Sequence, residues 1–278
     1  MLPIETAAAP RGWIVPVGGA ERKSRDSGIL ARFVELCGGR SAEIAVIPTA
    51  SQALDTGERY ARVLRSLDVL EAESVRLEDR EDSTDAGVLA LLQRATGVFM
   101  TGGNQVRLSR AINDTPVARL LRERNAQGMP VGGTSAGAAF LCETMIAMGR
   151  SGSAPRHDMV SLAHGLGLTD RVVIDQHFRQ RDRLGRLLTA VARTPSAIGL
   201  GIDEDTAAFI GPDDAIEVVG SGGVTVIDLA GLVHSSLDET AFDRGHDGGA
   251  VSLLGVTLHI LAEGDRYDLR TRTAHPGG

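Results

Sequence analysis

Apolar residues come in short runs separated by longer amphipathic stretches, and several of the runs end in glycine. Residues 13–17, Trp-Ile-Val-Pro-Val, read as a strand that runs into Gly18-Gly19. Over 27–37, Ile29, Leu30, Phe33, Val34 and Leu36 recur at helical spacing. A strand is predicted at 43–47, closed by Pro48-Thr49, then a polar helix over 55–67, a third strand at 75–77 and a helix over 86–93. The run 97–100 is a fourth strand and ends in Thr101-Gly102-Gly103-Asn104-Gln105. A helix over 117–125 leads to a fifth strand around Pro130-Val131, and helix-forming residues follow from Ala138. Short buried strands alternating with helices predict an α/β fold with a doubly wound, mostly parallel sheet. In such sheets ligands sit beyond the carboxyl ends of the strands, where three glycine-rich turns fall.

Past residue 142 the pattern changes. Residues 150–157 form a polar loop. A strand at 172–174 runs into Asp175-Gln176-His177-Phe178, and an arginine-rich helix over 179–192 carries Leu184, Leu187, Leu188 and Val191 on one stripe. A strand at 198–202 meets Asp203-Glu204-Asp205. Shorter strands at 206–210, 216–219, 224–227 and 258–261 read as an antiparallel extension of the same domain. No linker-like stretch interrupts the chain, so residues 1–278 are assigned to a single catalytic domain with its core at about 12–270.

The chemistry centres on Gly133-Thr134-Ser135-Ala136-Gly137, between a strand and a helix. A serine on such a turn needs small neighbours. Its hydroxyl stands at the carboxyl end of a sheet, and the helix behind it favours developing negative charge. This is the pattern of a nucleophile elbow. In a chain with 34 glycines the five residues alone are also the pattern of a close-packed turn, and the flanking strand and helix are what favour the nucleophile.

Composition narrows the class. The hydrophobic fraction of 42% supplies an ordinary globular core, and aromatics at 3% leave little for base stacking. The net charge of −7 gives no basic footprint for nucleic acid. No apolar run approaches a membrane span, and residues 1–10 do not read as a signal peptide. Cys37 and Cys142, the two cysteines, read as reduced core thiols of a cytoplasmic protein, Cys142 inside the helix after the elbow. No His-Glu-x-x-His, Cys-x-x-Cys or Gly-x-x-x-x-Gly-Lys occurs, so neither metal nor other cofactor is expected.

A serine hydroxyl needs a base and an acid that orients it. Of seven histidines, His177 directly follows a buried strand; a structural histidine is the competing reading. Glu204, at another strand end, is the acid candidate, with Asp203 and Asp205 as competitors. The amide of Ala136 and that of Gly102 or Gly103 are the natural oxyanion donors. Arg179, Arg181, Arg183 and Arg186 crowd the stretch after His177, and Arg179, Arg183 and Arg186 share a helical face by spacing. Such a cluster suits an anionic substrate, and a solvated helix face is the plainer reading.

Taken as an ordered set, these motifs resemble the cyanophycinases, in the serine peptidase family that also contains the aspartyl dipeptidase peptidase E. The resemblance runs from Gly18-Gly19-Ala20-Glu21 through Thr101–Gln105, the elbow, Asp175–Phe178 with Arg181, Arg183, Gly185 and Arg186, and Gly201–Thr206, to Gly264–Leu269. It implies a fold similar to class I glutamine amidotransferase (flavodoxin-like) domains, no metal and a homodimer. It also implies exopeptidase hydrolysis of multi-L-arginyl-poly-L-aspartate to β-aspartyl-arginine dipeptides. Within it, Ser135 is nucleophile, His177 base then acid, and Glu204 its orienting acid; Gln105, Asp175, Gln176, Arg181, Arg183 and Arg186 form the substrate pocket. Asp175 is then suited to a substrate guanidinium and the arginines to carboxylates. A dipeptidase for short aspartyl or isoaspartyl peptides is the nearest alternative. An α/β-hydrolase esterase fits less well, because its acid precedes its histidine and the base would have to be late, such as His259.

Overall fold

The computed structural model describes residues 10–23, 28–237 and 249–278. Residues 1–9, most of the segment read above as no signal peptide, lie outside them, as do Ser27 at the first helix start and His246.

Five parallel strands form one half of a nine-stranded sheet: β1 (Ile14–Val17), β2 (Glu43–Ile47), β3 (Glu71–Ser74), β4 (Gly97–Met100) and β5 (Val131–Thr134), in the order β3-β2-β4-β5-β1. Their residues point alternately to two helical layers. Val15, Val17, Ile44, Val46 and Phe99 pack against α1 (Gly28–Leu36) and α2 (Thr56–Arg65). Ile14, Ala45, Ile47, Val98, Met100 and Val131 pack against α3 (Ala86–Arg94), α4 (Gln105–Ile112) and α5 (Pro116–Ala126). The sheet is thus covered on both faces, as the unbroken apolar strands require.

Three differences from the sequence expectation matter for the site. The third strand lies at Glu71–Ser74 rather than 75–77; Val75 and Leu77 are buried just past its end. Helix α4 was not expected so close behind Gly102-Gly103. Asn104 starts it by accepting the Val106 amide on its side chain (2.9 Å), and Leu108, Ala111 and Ile112 form its buried stripe. The helix after the elbow, α6 (Ala136–Phe140), is a single short segment, so Cys142 lies beyond it, where it bridges to Thr169. The chain then makes a hairpin of β6 (Thr144–Gly149) and β7 (Val160–His164), which encloses the loop at 150–157.

The second half of the chain serves two sheets. Strands β8 (Val172–Gln176) and β9 (Ile198–Ile202) pair in parallel but leave the main sheet; β12 (Val224–Asp228) and β15 (Thr257–Leu261) extend them into a four-stranded sheet, order β15-β12-β9-β8. Its inner face, including Val172, Ile174, Leu200 and Val226, joins the main core, and its outer face packs on α7 (Leu184–Arg193). Strands β10 (Thr206–Ile210), β11 (Ala215–Gly220), β16 (Arg266–Asp268) and β17 (Thr273–His275) continue the main sheet antiparallel from β1. The predicted antiparallel extension is therefore real but divided between two sheets. A small pair, β13 (His234–Ser235) and β14 (Leu253–Leu254), stands apart. Among the described residues no helix is long and apolar enough to cross a membrane.

Candidate active site

Strand β5 delivers Ser135 to the carboxyl edge of the main sheet in a backbone conformation, φ 53° and ψ −112°, that L-residues rarely adopt. Its amide donates to Val17 O (2.9 Å), which ties the turn to β1. Close packing explains the glycines around it. An ideal Cβ on Gly133 would lie 2.5 Å from the Gly137 carbonyl carbon, and one on Gly137 would lie 2.4 Å from Met100 O. Strain held in place by neighbours on every side is characteristic of a functional turn.

Two other strand ends converge on this serine. His177 follows β8 and Glu204 follows β9, so the pairing of β8 with β9 sets them side by side. Ser135 Oγ lies 2.9 Å from His177 Nε2, and His177 Nδ1 lies 2.6 Å from Glu204 Oε1. With the proton on Nδ1 donated to the carboxylate, Nε2 is free to accept the serine proton. Alternation at the end of β9 separates the acidic triplet. Asp203 accepts the amides of Arg179 (3.0 Å) and Gly223 (3.2 Å), Asp205 pairs with Arg22 (3.2 Å), and only Glu204 faces the histidine. His259 is elsewhere, against the Tyr267 ring at 5.6 Å.

The histidine is also braced from behind. Its amide donates to Gly18 O (2.7 Å), and its φ of 48° turns the side chain back over the first glycine turn. Gly19, at φ 102°, lies directly beneath the ring: a Cβ there would meet Cε1 at 2.4 Å and Nε2 at 2.5 Å. Burial pushes the His177 pKa below its ordinary 6.5; the Glu204 hydrogen bond opposes that, and the charges of Arg181 and Arg183 add to it.

On the other side of Ser135, Gly102 follows β4. A Cβ on it would lie 3.2 Å from Ser135 Cβ, so backbone approaches Ser135 closely here. Gly103, at φ 145°, has no room for a side chain because Ala50 O would lie 2.0 Å from its Cβ. Of the two glycines, Gly102 is the one beside the hydroxyl: a Cβ on it would lie 3.7 Å from Ser135 Oγ. Gln176 is buried and accepts from Ser135 Oγ at 3.4 Å. Gln105 donates to Ile146 O and Ala147 O, both at 3.0 Å, and so anchors the hairpin strand β6 beside the site.

The arginines do not form one face. The predicted helix breaks: a single turn at Arg179–Arg181 ends at Asp182, φ 46°, before α7 begins. The break leaves Arg179 and Arg181 exposed and turns Arg183 and Arg186 inward onto Asp175. Asp175 is 1% exposed; Arg186 grips both its oxygens, and Arg183 reaches Oδ1 (3.2 Å) and the Gln176 carbonyl. The expectation that Asp175 holds a substrate guanidinium is corrected accordingly: its carboxylate is already shared by two buried arginines of the chain. The cluster carries two cations against one anion, and burial brings the Arg183 guanidinium down to about 10.

One network was not recognised in the sequence. Glu21, quoted above only as part of a motif, is buried beneath the elbow, where it accepts from Thr134 Oγ1 (2.6 Å) and Tyr60 Oη and pairs with Lys23 (3.3 Å). Its signal would have been a glutamate two residues past a glycine turn, which spacing alone cannot tie to a serine 114 positions later. Cys37 and Cys142 are buried free thiols outside the site, and burial pushes Cys142 up to about 12.

Comparison with known proteins establishes the family and the fold. The chain is 41% identical over 263 residues to the cyanophycinase of Synechococcus elongatus, covering 94% of this chain and 80% of that one. It is 38% identical over 269 residues to the cyanophycinase of Geminocystis herdmanii, covering 96% and 97%. The crystal structure of a peptidase from an acI-B1 Actinobacterium superposes with a TM-score of 0.65 at 20% identity, over 94% of this chain and 98% of that one, which shows a shared fold. Residues 14–218, which span the elbow, both partner strands and the acidic triplet, match the family described as peptidase family S51, and the chain belongs to that family of serine peptidases.

Proposed function

We propose that this protein hydrolyses cyanophycin, multi-L-arginyl-poly-L-aspartate, to β-aspartyl-arginine dipeptides through an acyl-enzyme on Ser135. The observation that carries the reading is the continuous relay from Ser135 Oγ to His177 (2.9 Å) to Glu204 (2.6 Å) on a strained turn. Ser135 Oγ attacks the scissile carbonyl while His177 Nε2 takes its proton. Glu204 holds the imidazole by Nδ1–H and stabilises the imidazolium. The oxyanion is received by the amide of Ala136 and that of Gly102 or Gly103. His177 then gives its proton to the leaving amine, and water, deprotonated by the same histidine, releases the dipeptide and restores Ser135.

Arg181, exposed and near His177, and the cationic excess of the Asp175–Arg183–Arg186 cluster suit the carboxylates of the substrate. Gln176 and Gln105 border the same space. The strand order β3-β2-β4-β5 repeats the flavodoxin-like 2-1-3-4 order counted from β2, with β1 in the fifth place, which supports a likeness to class I glutamine amidotransferase domains. We extend the reading to one catalytic domain, a cytoplasmic location suited to two free buried thiols, and a homodimer, the last on family resemblance.

Product analysis tests the function. Wild type and Ser135→Ala are incubated with arginine-bearing poly-aspartate and, separately, with α- and β-aspartyl dipeptides. Release of β-aspartyl-arginine from the polymer by wild type alone is the expected result. An inert polymer with cleaved dipeptides would replace the reading with that of a dipeptidase.

A further inference from the structure

A second cavity opens on the same edge of the main sheet, at the carboxyl ends of β2 and β3. Its volume is about 470 Å³, and Thr49, Ser51, Gln52, Arg76, Glu78 and Arg107 supply its polar lining. All five parallel strands end on one side, so this cavity and Ser135 open in the same direction. One wall continues directly to the nucleophile. Ala50 O accepts the Asn104 amide (2.9 Å) and packs on Gly103, while Gly102 borders Ser135. Helix α4 starts at that wall and reaches the cavity with Arg107, whose Nε donates to Thr49 O (3.1 Å).

The charges here are unspent. Neither Arg76 nor Arg107 pairs with a carboxylate among the described residues, although both belong to an acidic chain with many ion pairs. Glu78 stands beside them with its side chain likewise unpaired among the described residues. Leu54, 99% exposed, lies at the rim.

We infer that this cavity is a subsite for the next arginine-bearing unit of the polymer, Arg76 and Arg107 taking its free carboxylate and Glu78 its guanidinium. The inference rests on the cyanophycin reading. In a β-aspartyl-arginine unit the arginine is joined through its α-amine, so each unit presents one free carboxylate and one guanidinium. Two cations and one anion match that pair. The distances also agree. Neighbouring strands lie about 4.8 Å apart, so β2 and β3 are about 10 and 14 Å across the sheet from β5. An extended aspartate backbone advances about 3.5 Å per residue, and an arginyl side arm then covers the remaining gap from a unit adjoining the scissile bond.

The test compares two defined substrates, an oligomer of two β-aspartyl-arginine-type units and a long polymer, with wild type, Arg76→Glu and Arg107→Lys. Arg76 is an exposed position where charge reversal leaves the fold intact, and Arg107→Lys keeps the charge but removes the planar fork; thermal unfolding verifies both. For Arg76→Glu the ratio of kcat/KM on the polymer to that on the short oligomer should fall about tenfold relative to wild type, through KM rather than kcat. Arg107→Lys should lower the same ratio by a smaller factor. A ratio unchanged in both folded variants, with wild type cleaving the polymer, overturns the subsite alone. Wild type inert towards both lengths overturns the cyanophycin reading and the subsite with it.

Discussion

Gly19→Ala asks whether backbone packing, and not only hydrogen bonding, fixes His177, the base of the proposed mechanism. An alanine Cβ would lie 2.4 Å from Cε1 and 2.5 Å from Nε2 of His177. Non-bonded carbons settle at about 3.5 Å or more, so the ring or the backbone must retreat by about 1 Å. The backbone is not free to yield: Gly19 O accepts the Asp205 amide (2.8 Å), and the preceding Gly18 O accepts that of His177 (2.7 Å). The ring therefore moves, away from a serine now 2.9 Å from Nε2. A misplacement of about 1 Å lowers turnover by on the order of 10²-fold. An alanine at φ 102° adds strain of about 1–3 kcal/mol, which in a chain of this size lowers Tm by roughly 2–10 °C. Steady-state hydrolysis of the polymer at a temperature well below unfolding separates the two effects: kcat falls and KM holds. A folded Gly19→Ala enzyme with kcat within about threefold of wild type would refute the reasoning, because the ring would then be positioned by its hydrogen bonds alone.

The other predictions concern charge and proton transfer. Asp175→Asn leaves Arg183 and Arg186 buried without a counter-charge, and should lower unfolding stability by about 3–5 kcal/mol in urea titration; wild-type stability would contradict the internal role of Asp175. With neutral His177 as the base of the proposed mechanism, kcat/KM should be retained above its pKa and lost as pH falls through it; with that pKa lowered, the acid limb should lie below pH 6.5. Arg181→Ala removes one charge that disfavours the imidazolium, so the same limb should move to higher pH, and a stationary limb would show that Arg181 does not act on His177. Glu204→Gln keeps the shape of the side chain but not its charge, and kcat should fall by about 10⁴-fold with an unchanged Tm.

Much of the site was legible in the chain because its parts are local. A strand that ends in Gly-x-Ser-x-Gly before helix-forming residues favours an elbow by sterics, and His177 and the triplet Asp203-Glu204-Asp205 stand out as polar residues directly after buried strands. Why Glu204 rather than Asp203 or Asp205 is the partner was not legible. That choice depends on the side of β9 on which each carboxylate falls once β9 lies beside β8. The arginines show the same limit. Equal spacing suggested one cationic face, but Asp182 in a left-handed conformation interrupts the helix, and the interruption turns Arg183 and Arg186 towards a buried aspartate.

By itself, the sequence determined the alternation of strands and helices, the three glycine turns at strand ends and the placing of Ser135 on a tight strand-to-helix turn, since periodicity and backbone sterics act within a few residues. Only the tertiary structure decided which strands share a sheet, that β8 and β9 leave the main sheet for one of their own, and that Glu21 supports the elbow from more than a hundred positions away. It also decided that Asp175 is paired inside the protein while Arg76 and Arg107 line a cavity at the carboxyl edge of the sheet without a carboxylate partner among the described residues. Those outcomes turn on which distant surfaces must be buried against each other, and on which charges then find a partner, and neither is encoded in spacing along the chain.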